Sequence, residues 1–251
     1  MTILCIETST SVCSAAICKD GMPTEQCICH EGSNHARLLP RYMEHLLQYA
    51  RENSMSLDGV ALSEGPGSYT GLRIGTSTAK GLCYGLNLPL IPIPTLEVLC
   101  EAAKQSITNH QSPITNALLV PMIDARRMEV YTSLMVNGEG MKGERARAVV
   151  VESADSLLSV SEAVCQCNGL SSVSEAVYYY FGDGAAKCQN VLTLPHWHYI
   201  PGIVPEAQYM GRLAEQALAE NKQLTANGIA YYEPYYLKEF IAAPSHVKGL
   251  N

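Results

Sequence analysis

The sequence predicts an α/β protein of two lobes whose second half repeats the first. Three observations carry this reading. Thr2 to Glu7 is an apolar strand pattern closed by an acid and followed by a hairpin partner, a third strand and a helix; Asn116 to Asp124 opens the same series again, with Asp124 standing where Glu7 stood. Each half also places a glycine turn behind a buried strand, at Gly65, Gly67 and Gly71 and at Gly182, Asp183 and Gly184. Finally, 251 residues with 47% hydrophobic and 16% charged side chains suffice for two cores of ordinary size. The lobes are expected at 1–110 and 111–251, parted by a polar, proline-bearing stretch near Ile107 to Pro113, with the last residues returning to the first lobe.

Taken in order, Thr2 to Glu7 pairs through the Thr8 to Ser11 turn with Val12 to Lys19, and Asp20-Gly21 leads into a third strand near Thr24 to His30. From Asn34 to about Asn53, Leu38, Leu39, Tyr42, Met43, Leu46, Leu47 and Ala50 form two adjacent rows, a stripe wider than one sheet face requires. Pro40 leaves two starts open: Asn34 caps a helix kinked at the proline, or a regular helix begins near Leu39. Asp58 to Ser63 is a short buried strand, and Pro89 to Ile93 is another before a helix from Thr95 to about Gln105. The second half is expected to hold strands at Glu129 to Val136 and Ala146 to Val151 around a turn at Asn137 to Gly140. A helix at Ser156 to Val164, a strand at Tyr178 to Phe181 and a short helix follow. Last come a loop with His196, Trp197 and His198, a long helix from Pro205 to about Asn221, and a tail from Tyr231 to Lys238.

The stretch SEGPGSYTGLRIGTSTAKGLCYG, Ser63 to Gly85, joins a shaped loop to a small-residue helix. Gly65, Gly67 and Gly71 permit backbone paths that a Cβ blocks, and Ser68 or Thr70 caps the helix. Either the N–H groups near Gly67 to Leu72 hold an anion at the positive helix end, or the loop is strand-to-helix punctuation. Within the helix, Gly71, Gly75 and Ala79 recur at a spacing of four, and Gly81 and Gly85 repeat it on a neighbouring face. Each interior glycine forgoes about 0.8 to 1 kcal/mol of helix propensity, so the smooth face implies a close neighbour, in this chain or on a partner. Leu72, Thr76, Ala79 and Cys83 form the row toward the chain's own core.

Composition narrows the function. The seventeen lysines and arginines against twenty-four acids leave a net charge of -7, which argues against this chain alone holding an RNA backbone. No apolar run reaches membrane-span length and no charged signal segment precedes Thr2, so a cytosolic protein is expected. Among ten cysteines, Cys5, Cys13, Cys18, Cys83 and Cys100 fall in core patterns as reduced thiols, while Cys27/Cys29 and Cys165/Cys167 lack zinc spacing. No H-x-x-x-H pair, H-E-x-x-H, G-x-S-x-G or P-loop motif occurs. His196 and His198 are a weak chelating pair, and Glu7 and Asp124 are strand-end acids that either organise magnesium or sit satisfied.

The duplicated pattern resembles the actin, sugar kinase and Hsp70 ATPase superfamily. More narrowly, ETST in the first strand, NHARLLP, SEGPGSYTGLRIGTSTAKGL, IPTLE and the terminal EPYYLKE resemble the TsaB (YeaZ) family, strongly over about the first 100 residues and loosely beyond. That resemblance implies a non-catalytic paralogue of TsaD, the enzyme that places threonylcarbamoyl on adenosine 37 of tRNAs reading ANN codons. It further implies docking to TsaD, or to a second copy when alone, through the two N-terminal helices, with the ATPase TsaE binding the assembled pair and tRNA met only through the complex. Interface candidates are Leu38, Tyr42, Met43 and Leu46 on the first helix and Tyr69, Gly71, Leu72, Arg73, Gly75, Thr76 and Ala79 on the second. Anion or nucleotide candidates are Glu7, Gly65, Gly67, Ser68, Asp124, Gly182, Asp183 and Gly184. No metal or cofactor is expected, except ATP or ADP at the partner interface. The alternative is an enzyme of the same fold, an ATP-dependent phosphotransferase or a metallopeptidase.

Overall fold

The computed structural model describes residues 1–32, 34–108, 117–136, 139–140, 146–158 and 176–238. Strands β1 (Thr2–Glu7), β2 (Cys13–Lys19) and β3 (Met22–Cys29) form the antiparallel meander. After α1 (His35–Glu52), β4 (Gly59–Gly65) lies parallel to β1; α2 (Tyr69–Leu86) then crosses to β5 (Leu90–Pro94), parallel to β4. The order is β3-β2-β1-β4-β5. Beyond α3 (Thr95–Thr108), β6 (Ala117–Asp124) takes the place of β1. Strands β7 (Glu129–Thr132) and β10 (Arg147–Val150) run antiparallel on one side of it, and β11 (Val177–Phe181) and β12 (Trp197–Ile200) parallel on the other. The order β10-β7-β6-β11-β12 repeats the first sheet strand for strand, with the short pair β8 (Met135–Val136) and β9 (Glu139–Gly140) added beside β6. This is the duplicated actin-like ATPase architecture.

Packing follows from the faces. On one side of the first sheet, Leu39 and Leu46 of α1 and Ala79 of α2 close over Leu4, Ile6 and Leu62. The other side takes Val98 of α3 and Ala214 of α4 (Gly211–Ala219). The remaining flank of α3, with Leu96, Leu99 and Ala103, meets Leu119, Ile123 and Phe181 of the second sheet. One helix therefore serves as the wall between lobes. The second sheet's far face buries Tyr178, Tyr180 and Trp197, the first and last stacked at 4.4 Å.

Several local expectations are corrected. Helix α1 runs through Pro40 from His35, whose ring lies 3.2 Å from the Val12 carbonyl; Asn34 gives no side-chain cap, and Pro40 sits on the exposed face. The strand expected at Glu129 to Val136 is two pieces, because Ser133 and Leu134 interrupt its pairing with β6. Of the loop expected at His196 to His198 only His196 lies in a turn: Trp197 begins β12, and its ring enters the core. Instead of one long helix after Pro205 there is a 3-10 turn at Ala207–Met210 and then α4, since Gly211 packs against Cys18 and the Gly21 backbone, where a Cβ would lie 2.8 Å from each. The tail holds an unexpected helix, α5 (Ala226–Tyr231). Cys165/Cys167, the end of the helix expected at Ser156 to Val164, and most of the Ile107 to Pro113 boundary lie outside the described residues.

Candidate functional site

Helix α2 starts from a loop that is already occupied by its own chain. The Ser68 hydroxyl accepts the Gly71 N–H at 3.4 Å, the Ser68 carbonyl accepts the Leu72 N–H at 2.9 Å, and the Ser68 N–H goes to the Ser9 carbonyl at 2.6 Å. Three N–H groups that an anion would need are thus taken. Gly67 abuts Ser9, and Gly65, at φ +116, abuts the Tyr235 carbonyl. Around Gly65, Gly67 and Ser68 the loop is thus shaped in part by the chain itself.

The first small-residue row also has an internal use. The Thr8 hydroxyl donates to the Gly71 carbonyl at 2.8 Å, and a Cβ on Gly75 would run into that hydroxyl and lie 3.2 Å from Leu62 Cδ1. Leu72, Thr76 and Ala79 are buried beside them, as are Met43 and Leu46 on α1. Gly71, Leu72, Gly75, Thr76, Ala79, Met43 and Leu46 are therefore buried in contacts within the chain. Leu38, Tyr42 and Tyr69 stay half-buried, and Arg73 is exposed with its guanidinium 5.4 Å from the Tyr69 ring centre. On the outward face, Thr70, Arg73, Ser77, Gly81 and Tyr84 fall in line. A Cβ on Gly81 or Gly85 would meet nothing within 4 Å, and Tyr84 is 92% exposed. Spacing marked both glycine rows; only the placement of Thr8 under one of them tells which is covered.

The facing sheet ends bring together Glu7, Asp124, Asp183, Gly182 and Gly184. Glu7 is fully buried; its Oε1 accepts the Ser9 N–H at 2.6 Å, while Oε2 and the Ser9 hydroxyl have no hydrogen-bond partner among the described residues. Burial raises the Glu7 carboxyl above its ordinary range, neighbouring Ser63 and Ser9 oppose that rise, and Asp183 adds to it. Desolvation in the cleft raises Asp183 as well, against the Asp124 N–H that it accepts at 3.0 Å. Asp124 takes the Lys187 ammonium, which also donates to the Glu129 carbonyl at 2.7 Å. Gly182, at φ +108, and Gly184 lie against the backbone of Met122 and Ile123. Lys187 was not marked by the sequence, because it stands sixty-three residues from Asp124. Carboxylates cluster here, and the adjacent lysine is engaged by Asp124.

The histidines lie elsewhere. His196 and His198 rest against the Tyr178 and Tyr179 rings at 5.7 and 5.4 Å, and among the described residues no three His, Cys, Asp or Glu side chains are grouped to hold a metal ion.

The family model described as TsaD, tRNA N6-adenosine threonylcarbamoyltransferase, matches residues 31–244. The Haemophilus influenzae tRNA threonylcarbamoyladenosine biosynthesis protein TsaB is 30% identical over 239 residues, 95% of this chain and 94% of that protein. The chain belongs to the TsaB family. TsaB of Escherichia coli is 28% identical over 244 residues, covering 96% of each chain. In structure, the chain is similar to a Pseudomonas aeruginosa protein described as uncharacterized with similarity to peptidase YEAZ: TM-score 0.71 and 22% identity over 94% of this chain and 99% of that one, a likeness of fold. Among the described residues of this TsaB-family chain, no helix is long and apolar enough to cross a membrane.

Proposed function

We propose that this chain is a non-catalytic subunit of tRNA threonylcarbamoyladenosine synthesis that acts by docking to TsaD. In this reading it works in the cytoplasm, supports threonylcarbamoyl transfer to adenosine 37 of tRNAs reading ANN codons, and meets TsaE and tRNA only in the assembly. The observation that carries it is the contrast along α2. Gly71 and Gly75 are covered by Thr8, whereas Gly81 and Gly85 lie open on both sides of an exposed Tyr84. An aromatic set between open glycines offers a partner close backbone approach and an anchor worth roughly 2 kcal/mol when buried. The catalytic alternatives find less support, since Lys187, the lysine beside the cleft carboxylates, is engaged by Asp124 and the Glu129 carbonyl. Any ATP or ADP in the assembly belongs at the partner interface.

Purification with and without co-expressed TsaD, with masses from light scattering, tests the reading. The expected result is a heteromer with TsaD and a homodimer without it; a chain that ignores TsaD overturns it. Elemental analysis after dialysis should find no stoichiometric zinc or iron.

A further inference from the structure

The last described residues cross both lobes. Lys80 of α2 anchors their near end, donating to the Ala230 and Tyr232 carbonyls at 3.0 and 2.8 Å. The Tyr235 N–H then donates to the Glu64 carbonyl at 2.7 Å, and the Tyr236 ring lies 4.8 Å from that of Tyr69, the first residue of α2. These contacts belong to the first lobe. From the same segment the Tyr235 hydroxyl donates to the Ala146 carbonyl at 3.3 Å, and Lys238 pairs with the Glu129 carboxylate, its ammonium 5.9 Å from the Tyr131 ring centre. Those belong to the second.

We propose that residues 232–238 are a clasp that sets the angle between the lobes and couples it to occupancy of the α2 face. The two ends differ in strength. On the first lobe the segment is held by backbone hydrogen bonds and a packed ring, on the second by one hydroxyl and by the exposed Lys238, paired with Glu129 and set over the Tyr131 ring, an arrangement that releases there first. Release has a direction, because the contacts of Tyr235 with Ala146 and of Lys238 with Glu129 are what draw this segment onto the second lobe. The first-lobe end also underlies Tyr69 and Arg73, so a partner on α2 touches the clasp. The coupling rests on the docking reading; the clasp itself does not.

Tyr235→Phe combined with Lys238→Ala removes the hydroxyl bond, the ion pair and the approach to the Tyr131 ring, and leaves the first-lobe contacts. Small-angle scattering and amide exchange on the intact chain should show a larger radius of gyration and faster exchange in β7, with cooperative melting retained. Affinity for TsaD should shift about fivefold by linkage, although neither substitution lies on the outward face of α2. An unchanged radius and exchange overturn the clasp, and a changed radius with unchanged affinity overturns the coupling. If the unmodified chain does not bind TsaD at all, the docking reading fails while scattering still decides the clasp. Should the double variant not fold, Lys238→Ala and the unmodified chain at high salt, which screens the ion pair, supply the same measurement.

Discussion

Thr8 lies beneath two glycines of α2, and its hydroxyl, bonded to the Gly71 carbonyl, cannot move aside for a methyl group on Gly75. Gly75→Ala gains about 0.8 to 1 kcal/mol of helix propensity but overpacks a closed contact at about 1 to 3 kcal/mol, so the variant should melt earlier than the parent. Thermal denaturation checks it, and Thr8→Ala on the same background should recover part of the loss by making room. Glu7 gives a pH-dependent counterpart. Burial raises its carboxyl above the unfolded value of 4.5, so the folded state keeps its proton to higher pH. The stability tied to that proton is full below 4.5 and is lost as pH rises through the folded value. Glu7→Gln keeps an acceptor for the Ser9 N–H and removes the buried charge. Its melting temperature should exceed the parent's at neutral pH and converge with it below about pH 4, as melting curves across that range would show.

Along α2, glycines of equal spacing have opposite surroundings, and substitution should separate them. Gly81→Ala meets open space and should stabilise the isolated chain by about 0.8 to 1 kcal/mol, while Gly81→Leu should remain folded yet lose association with TsaD in pull-down. A Gly81→Leu chain that still binds removes this face from the interface. The pair of glycine rows also shows what a sequence can carry. Periodicity marks α2, its two small faces and the strand-end acids Glu7 and Asp124, because each is a local pattern. It does not mark α5, whose six residues include Asn227 and Gly228; that helix exists through Lys80, the Leu90–Leu224 bridge and the burial of Ile229. Strand β12 was hidden for a similar reason, since its identity depends on Tyr178 and Tyr180 of β11 receiving Trp197. Thr8 and Lys187 enter the site only through the fold.

At the scale of the whole molecule, charge separates what the chain does alone from what it does in an assembly. Twenty-four acids outnumber seventeen lysines and arginines, and two of the cations, half-buried Lys187 and exposed Lys238, are paired with Asp124 and Glu129. The exposed arginines of α1, Arg37, Arg41 and Arg51, share that helix with Glu44 and Glu52, so they make no continuous basic stripe along which a phosphate backbone runs. Affinity for RNA scales with the number of phosphates neutralised, and each one contributes roughly 0.7 to 0.9 to the slope of log affinity against log salt. The isolated chain should therefore bind tRNA more weakly than micromolar at physiological salt and with a shallow salt dependence. Adding TsaD should both tighten binding and steepen that slope, because the partner supplies the cations. Gel-shift titrations at several salt concentrations measure both quantities at once. Sub-micromolar binding with a steep slope for this chain alone would place an RNA-reading surface on it and would transfer to this subunit a role assigned here to its partner.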